Sequence, residues 1–125
     1  MLEEEIEAAI AFADGCYVRK PTPAEFLRVV AYNMRVPAAV RRAIAGWSTE
    51  VAPTIAALKK VRVPVLITHG RDDQVVLPAA VAMTAAAIPH ARTSWFDDCG
   101  HSPFAEHAAR FNRQLMAFVQ SCRAG

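Results

Sequence analysis

Cysteine is scarce and scattered. Cys16, Cys99 and Cys122 form an odd set. They have neither the even count of a disulfide framework nor the close spacing of a zinc site, and read as free, buried thiols of a reducing cytosol. An excess of one charge sign is also missing. The net charge of +2 gives no reason to expect nucleic acid or a membrane as a partner, and no basic run with interleaved aromatics marks a nucleic-acid footprint. No apolar run approaches the length that spans a bilayer. The N-terminal "MLEEEIEAAI" is acidic and amphipathic, unlike a secretory signal or a transit peptide. Internal repeats and low-complexity segments are absent. What is abundant is apolar surface, Ala and Val above all, in a chain of 125 residues. That length suits one ordinary domain able to bury a core.

Two textures divide the chain, at residues 1–60 and 61–125. The first reads as helices only. Leu2, Ile6 and Ile10 recur on one helical face, and Asp14-Gly15 can end that helix. A second helix starts at "TPAE", with Thr22 as N-cap, Pro23 at the first helical position and Glu25 completing a capping box. Its apolar stripe is Phe26, Leu27, Val30 and Met34. A third helix begins at Pro37, carries Val40 and Ile44 and stops near Gly46. A short fourth, around residues 54–60, carries Ile55 and Leu58.

From Val61 the pattern changes. "VPVLIT" is a continuous apolar run of strand length, and Pro64 stands at its start, where a strand tolerates it. The lack of alternation predicts a strand buried on both faces, as in a parallel sheet covered by helices. "LPAAVAMTAAAI" predicts a helix from Pro78 to before Pro89, and "ARTSWF" a second strand. Phe104, Ala108, Phe111, Leu115, Phe118 and Cys122 predict one face of a long last helix. Strand, helix and strand make a βαβ unit, so the two strands are expected to be parallel. Two parallel strands are too few for a stable sheet and leave unpaired edges. The chain therefore either borrows strands from a partner or is the tail of a longer protein.

Ligands of open α/β sheets sit beyond the carboxyl ends of the strands. Two polar clusters fall there, "HGRDD" after the first strand and "DDCGHSPF" after the second. An aspartate of one loop can meet a histidine of the other. A carboxylate that accepts from one imidazole nitrogen fixes the tautomer and leaves the other nitrogen to take a proton from a nucleophile. Asp before His is also the order of the last two members of a Ser…Asp…His triad.

On "VPVLITHGRDDQVVLP" and "IPHARTSWFDDCGHSPFAEHAARFNRQLMAFV", and on the distance between them, the sequence resembles the α/β-hydrolase superfamily over about residues 61–122. The resemblance implies a partial α/β-hydrolase fold of class α/β. It would comprise a helical cap segment over 1–60 and a C-terminal β-α-β-α unit over 61–125. It implies Asp73 as the catalytic acid, four residues after His69 in the His-Gly-x-x-Asp signature, and His101 as the general base. It implies a small ester- or amide-like substrate in the complete enzyme, and no cofactor or metal. The nucleophile elbow Gly-x-Ser-x-Gly is absent, as are the oxyanion-hole loop and most of the sheet strands. An aspartate or cysteine nucleophile therefore stays open beside serine, and the chain alone is expected to be inactive.

Each residue has a plainer reading beside this one. Asp73 could cap the following helix, where the positive end of the dipole favours a carboxylate. Asp72 is the lesser candidate for the acid and otherwise reads as solvent-facing; Asp97 and Asp98, close to His101 in sequence, could compete as its partner but read rather as surface or turn residues. His69 reads as packing or hydrogen-bonding at the strand end, or as lining a pocket. His69, Asp73 and His101 together are the one conceivable metal set. Cys99 stands two residues before His101 but reads as a buried thiol rather than half of a dyad. Ser48, in "GWSTE", has no second glycine and reads as a loop or capping serine. Phe104 and the cap residues Tyr32, Met34 and Trp47 read as core or pocket lining. The competing class of function is a non-catalytic interaction module that pairs its strand edges with another subunit.

Overall fold

A computed structural model describes residues 2–46 and 50–123. The elements in chain order are α1 (Leu2–Gly15), α2 (Pro23–Met34), α3 (Ala38–Ala45), α4 (Val51–Leu58), β1 (Leu66–Gly70), α5 (Pro78–Ala87), β2 (Arg92–Phe96), α6 (Pro103–Glu106) and α7 (Ala108–Arg123). The reading around Trp47 and Ser48 lies outside the described residues.

The start of α2 follows its sequence signals. Thr22 is extended, its side chain accepts from the Glu25 N–H, and the Glu25 carboxylate receives the Thr22 N–H at 2.9 Å. Two of the orphan donors of a helix start are satisfied in this way. α1 packs against α2, and Arg41 of α3 reaches back to Glu5 of α1 at 2.8 Å. Leu27 faces away from this contact and is 68% exposed, so the expected apolar stripe of α2 is narrower than its sequence suggests.

The two strands pair in parallel, with Leu66 opposite Arg92 and Gly70 opposite Phe96. β1 begins later than "VPVLIT" predicts. Proline has no N–H to give to a ladder, and the first hydrogen bond beyond it runs from the Arg92 N–H to the Val65 carbonyl at 2.9 Å. Burial on both faces holds only for the end of β1. His69 and Gly70 are buried, while Leu66, Ile67 and Thr68 are half-buried. β2 is the only strand beside β1 among the described residues, so the other edge of β1 has no neighbour to cover it.

α5 and the two last helices pack on β1. The long last helix expected from the apolar periodicity is interrupted. His107 leaves helical geometry at φ −129° and ψ 42°, dividing the single turn of α6 from α7. Phe104 is consequently exposed and turns its ring edge-on to Phe111, with centroids 6.3 Å apart. The cysteine reading also needs one correction: Cys16 and Cys99 are buried, but Cys122 is exposed near the end of α7. No helix among the described residues is long and apolar enough to cross a membrane.

Candidate active site

β1 and β2 run in the same direction, so their carboxyl ends deliver two loops to one place. Close approach of those loops depends on Gly70. A Cβ there would overlap the carbonyl oxygens of Gly100 and Cys99 and sit 2.7 Å from the Cys99 carbonyl carbon. The Asp72 N–H donates to the Cys99 carbonyl at 3.0 Å, and the Arg71 N–H to the Phe96 carbonyl at 2.9 Å. These bonds fasten the loop after β1 onto the loop after β2.

At the junction, Asp73 is fully buried, and its Oδ2 lies 2.8 Å from Nδ1 of His101. An ionised carboxylate can only accept, so His101 donates through Nδ1–H. In the neutral ring, Nε2 then carries the lone pair, and it has no hydrogen-bond partner among the described residues. The other carboxylate oxygen, Oδ1, accepts the N–H groups of Val75 and Val76 at 2.8 and 2.9 Å. Asp73 therefore closes its own turn instead of capping α5, whose N-cap is Leu77. Burial pushes the Asp73 carboxyl up, but the Val76 N–H, His101 and the Val75 N–H outweigh it and hold the group below the usual aspartate range.

His69 is the third member of the cluster. Its Nε2 lies 2.9 Å from the Val76 carbonyl, to which it donates, and 3.3 Å from Asp73 Oδ2. Its ring stands edge-on to Trp95 at 5.8 Å. One carboxylate oxygen is thus flanked by two imidazoles. His69 keeps the local hydrogen-bonding role read from the sequence. The His69, Asp73 and His101 set holds together by hydrogen bonds, and no group of His, Cys, Asp and Glu among the described residues has the arrangement of a metal site.

The remaining candidates stand apart from the pair. Asp72 is exposed. Asp97 is 2.8 Å from Arg71, and Asp98, at a positive φ of 51°, is 2.9 Å from Arg19. Both are surface ion pairs. The Cys99 thiol lies 3.6 Å from Glu106 Oε1. Burial and the Glu106 carboxylate push it up to about 12, which keeps it protonated and non-nucleophilic at neutral pH. Ser94 donates to Gln114 and Ser121 to the Phe118 carbonyl, while Ser102 is buried at the start of α6. None of these serines is a hydrogen-bond partner of His101 among the described residues.

Glu106 escaped the sequence reading. Its Oε1 receives the Gly100 N–H at 2.8 Å, and its Oε2 receives the N–H groups of Val18 and Arg19 at 2.9 and 2.7 Å. The only sequence signal for it is an acid five residues after His101. That spacing carries no periodicity to single it out.

Comparisons with known proteins bear on the fold and the family. The sequence profile described as "Alpha/beta hydrolase family" matches residues 4–114. A pimeloyl-(acyl-carrier protein) methyl ester esterase from Aromatoleum aromaticum is 48% identical over 52 residues, which make up 42% of this chain and 21% of that enzyme. A 2-hydroxy-6-oxononadienedioate/2-hydroxy-6-oxononatrienedioate hydrolase from Pseudomonas putida is 38% identical over 63 residues, 50% of this chain and 22% of that enzyme. Among solved structures, one from Burkholderia cenocepacia with a provisional aryl-esterase assignment superimposes with a TM-score of 0.90 and 28% identity, covering 100% of this chain and 45% of that one. The esterase RhEst1 from Rhodococcus sp. ECU1013 gives a TM-score of 0.82 at 28% identity, covering 94% and 42%. The chain thus spans less than half the length of the proteins it resembles. The profile takes in nearly all of the sequence, and on that match the chain belongs to the alpha/beta hydrolase family.

Proposed function

We propose that the chain is the C-terminal portion of an α/β-fold serine hydrolase acting on a small ester- or amide-like substrate, with Asp73 as acid and His101 as base. The observation that carries this reading is the 2.8 Å contact from His101 Nδ1 to a fully buried Asp73, with Nε2 left unbonded among the described residues. Hydrolase relatives named for ester cleavage support the reaction class.

In the complete enzyme, a serine supplied from outside this chain attacks the substrate carbonyl carbon. Nε2 of His101 takes the hydroxyl proton as the new C–O bond forms, then delivers it to the departing alcohol or amine as the scissile bond breaks. Water repeats the sequence to release the acid and restore the serine. Asp73 holds the ring in the Nδ1–H tautomer and stabilises the imidazolium between the two transfers. Two backbone N–H groups outside this chain would hold the oxyanion. Residues 1–60 would serve as the cap over the substrate, and residues 61–125 as the C-terminal unit of the core. No cofactor or metal takes part in this scheme. The free thiols fit a reducing compartment, and we place the protein in the cytoplasm.

The test is hydrolysis of p-nitrophenyl acetate by the 125-residue chain, and by the same chain joined behind the nucleophile-bearing half of a related esterase. The chain alone should show no turnover. The joined protein should hydrolyse the ester, and His101→Ala should abolish that activity. Turnover by the chain alone that disappears with His101→Ala would overturn its dependence on an outside nucleophile. An in-frame Gly-x-Ser-x-Gly upstream of the Met1 codon is the genetic counterpart of this test.

A further inference from the structure

Glu106 has no hydrogen bond to Asp73 or the His101 ring among the described residues, yet its carboxylate joins two separate backbone segments. Oε1 holds the Gly100 N–H, the amide immediately before His101. Oε2 holds the successive N–H groups of Val18 and Arg19. The same segment supplies the Cys16 carbonyl, which accepts the N–H of His101 itself at 2.9 Å. His101 is thus fixed to the chain just after α1 by two routes, one direct and one through Glu106. The packing leaves little slack, since a Cβ on Gly100 would lie 2.9 Å from the Cys16 carbonyl oxygen. Arg19 does not take up the carboxylate as an ion pair. Its guanidinium goes to Asp98 on the same loop.

We propose that Glu106 is the positioning residue of the base: it gathers the Gly100, Val18 and Arg19 amides so that the His101 ring meets Asp73 with its Nε2 aimed outward. This rests on the reading of Asp73 and His101 as an acid–base pair. A carboxylate suits the task because it accepts on both oxygens. A carboxamide accepts on one only and presents N–H groups to the other amides. A displacement of about 1 Å at a catalytic group can cost about 100-fold in rate, so the staple bears directly on function.

The test follows the histidine ring signals of the 125-residue chain by NMR through a pH titration. Asp73→Asn is the reference, and should remove the far-downfield Nδ1–H resonance of His101. Glu106→Gln should remove or broaden that resonance and move the His101 ring signals. Asp97→Asn, on the same loop but paired to Arg71 at the surface, should change neither. An unaltered His101 in Glu106→Gln, with Asp73→Asn still effective, would overturn the role of Glu106 alone. An unaltered His101 in Asp73→Asn would overturn the acid–base reading beneath it. If Glu106→Gln does not fold, the unmodified chain supplies the answer. Protonation of Glu106, followed at its side-chain carbon, should move the Gly100, Val18, Arg19 and His101 signals with one midpoint. A transition confined to Glu106 would overturn the proposal.

Discussion

Asp73 and His101 are separated by 28 positions in sequence and by 2.8 Å in space. The carboxylate is out of solvent, while the imidazole remains partly open to it, at 35% side-chain exposure. In the proposed mechanism the exposed side belongs to the histidine, which would exchange a proton, and the closed side to the aspartate, which would only have to stay ionised.

The depressed pKa of Asp73 makes stability depend on pH. In the unfolded chain the group titrates near the ordinary aspartate value of about 3.9, and in the folded chain lower. The folded state therefore binds fewer protons between those two values. The contribution of Asp73 is fully present above about pH 4 and is lost as pH falls through the folded value. Asp73→Asn should lower the unfolding free energy at pH 7 by about 2 kcal/mol, the scale of a buried hydrogen bond to a charged group. Urea melts at pH 7 and pH 3 should show the gap between wild type and variant narrowing at the lower pH. A gap of equal size at both would show that the charge of Asp73 is not what stabilises the loop.

Gly70→Ala should be far more damaging than a single methyl suggests. The added carbon would overlap the backbone of Cys99 and Gly100, and neither can step aside while the Asp72 N–H holds the Cys99 carbonyl. Overpacking against fixed backbone costs about 3 kcal/mol. The expected result is a large drop in urea midpoint together with loss of the Asp73–His101 contact in the ring spectra. A midpoint unchanged from wild type would mean that the two loops are not held this closely.

Thiol chemistry should distinguish the three cysteines. Cys122 is exposed, whereas Cys16 and Cys99 are buried. Cys99 is pushed up to about 12 by burial and by Glu106, and Cys16 is raised by burial, then by the charges of Asp73 and Glu106. A disulfide reagent at pH 8 should titrate only Cys122 in the folded chain and all three in denaturant. Rapid labelling of Cys99 in the native state would show that the His101 loop opens easily.

The meeting of Asp73 with His101 and both strands were legible because each is written in local residues. "HGRDD" and "DDCGHSPF" sit directly after apolar runs, and a parallel βαβ unit can only bring such loops to one end. The α2 start was legible for the same reason, since a capping box is complete within Thr22 to Glu25. The break at His107 was not. Phe104, Ala108 and Phe111 keep helical spacing across it, so periodicity alone does not mark it. Glu106 was invisible because its partners Val18 and Arg19 lie 88 and 87 positions upstream. Leu27 and Cys122 were misjudged in the other direction, because apolar character does not decide burial when few elements surround a helix.

Those spans have a kinetic consequence. Bringing Val18 to Glu106 closes a far longer loop than the Asp73–His101 contact does, and the entropy of closure rises with loop length. The helices and the strand pair can form without the staple, but the staple cannot form without them. Glu106 should therefore be absent from the folding transition state and present only behind it. Its loss would speed unfolding and leave the refolding rate nearly untouched, making Glu106 a brake on the release of His101 and not a guide to its arrival.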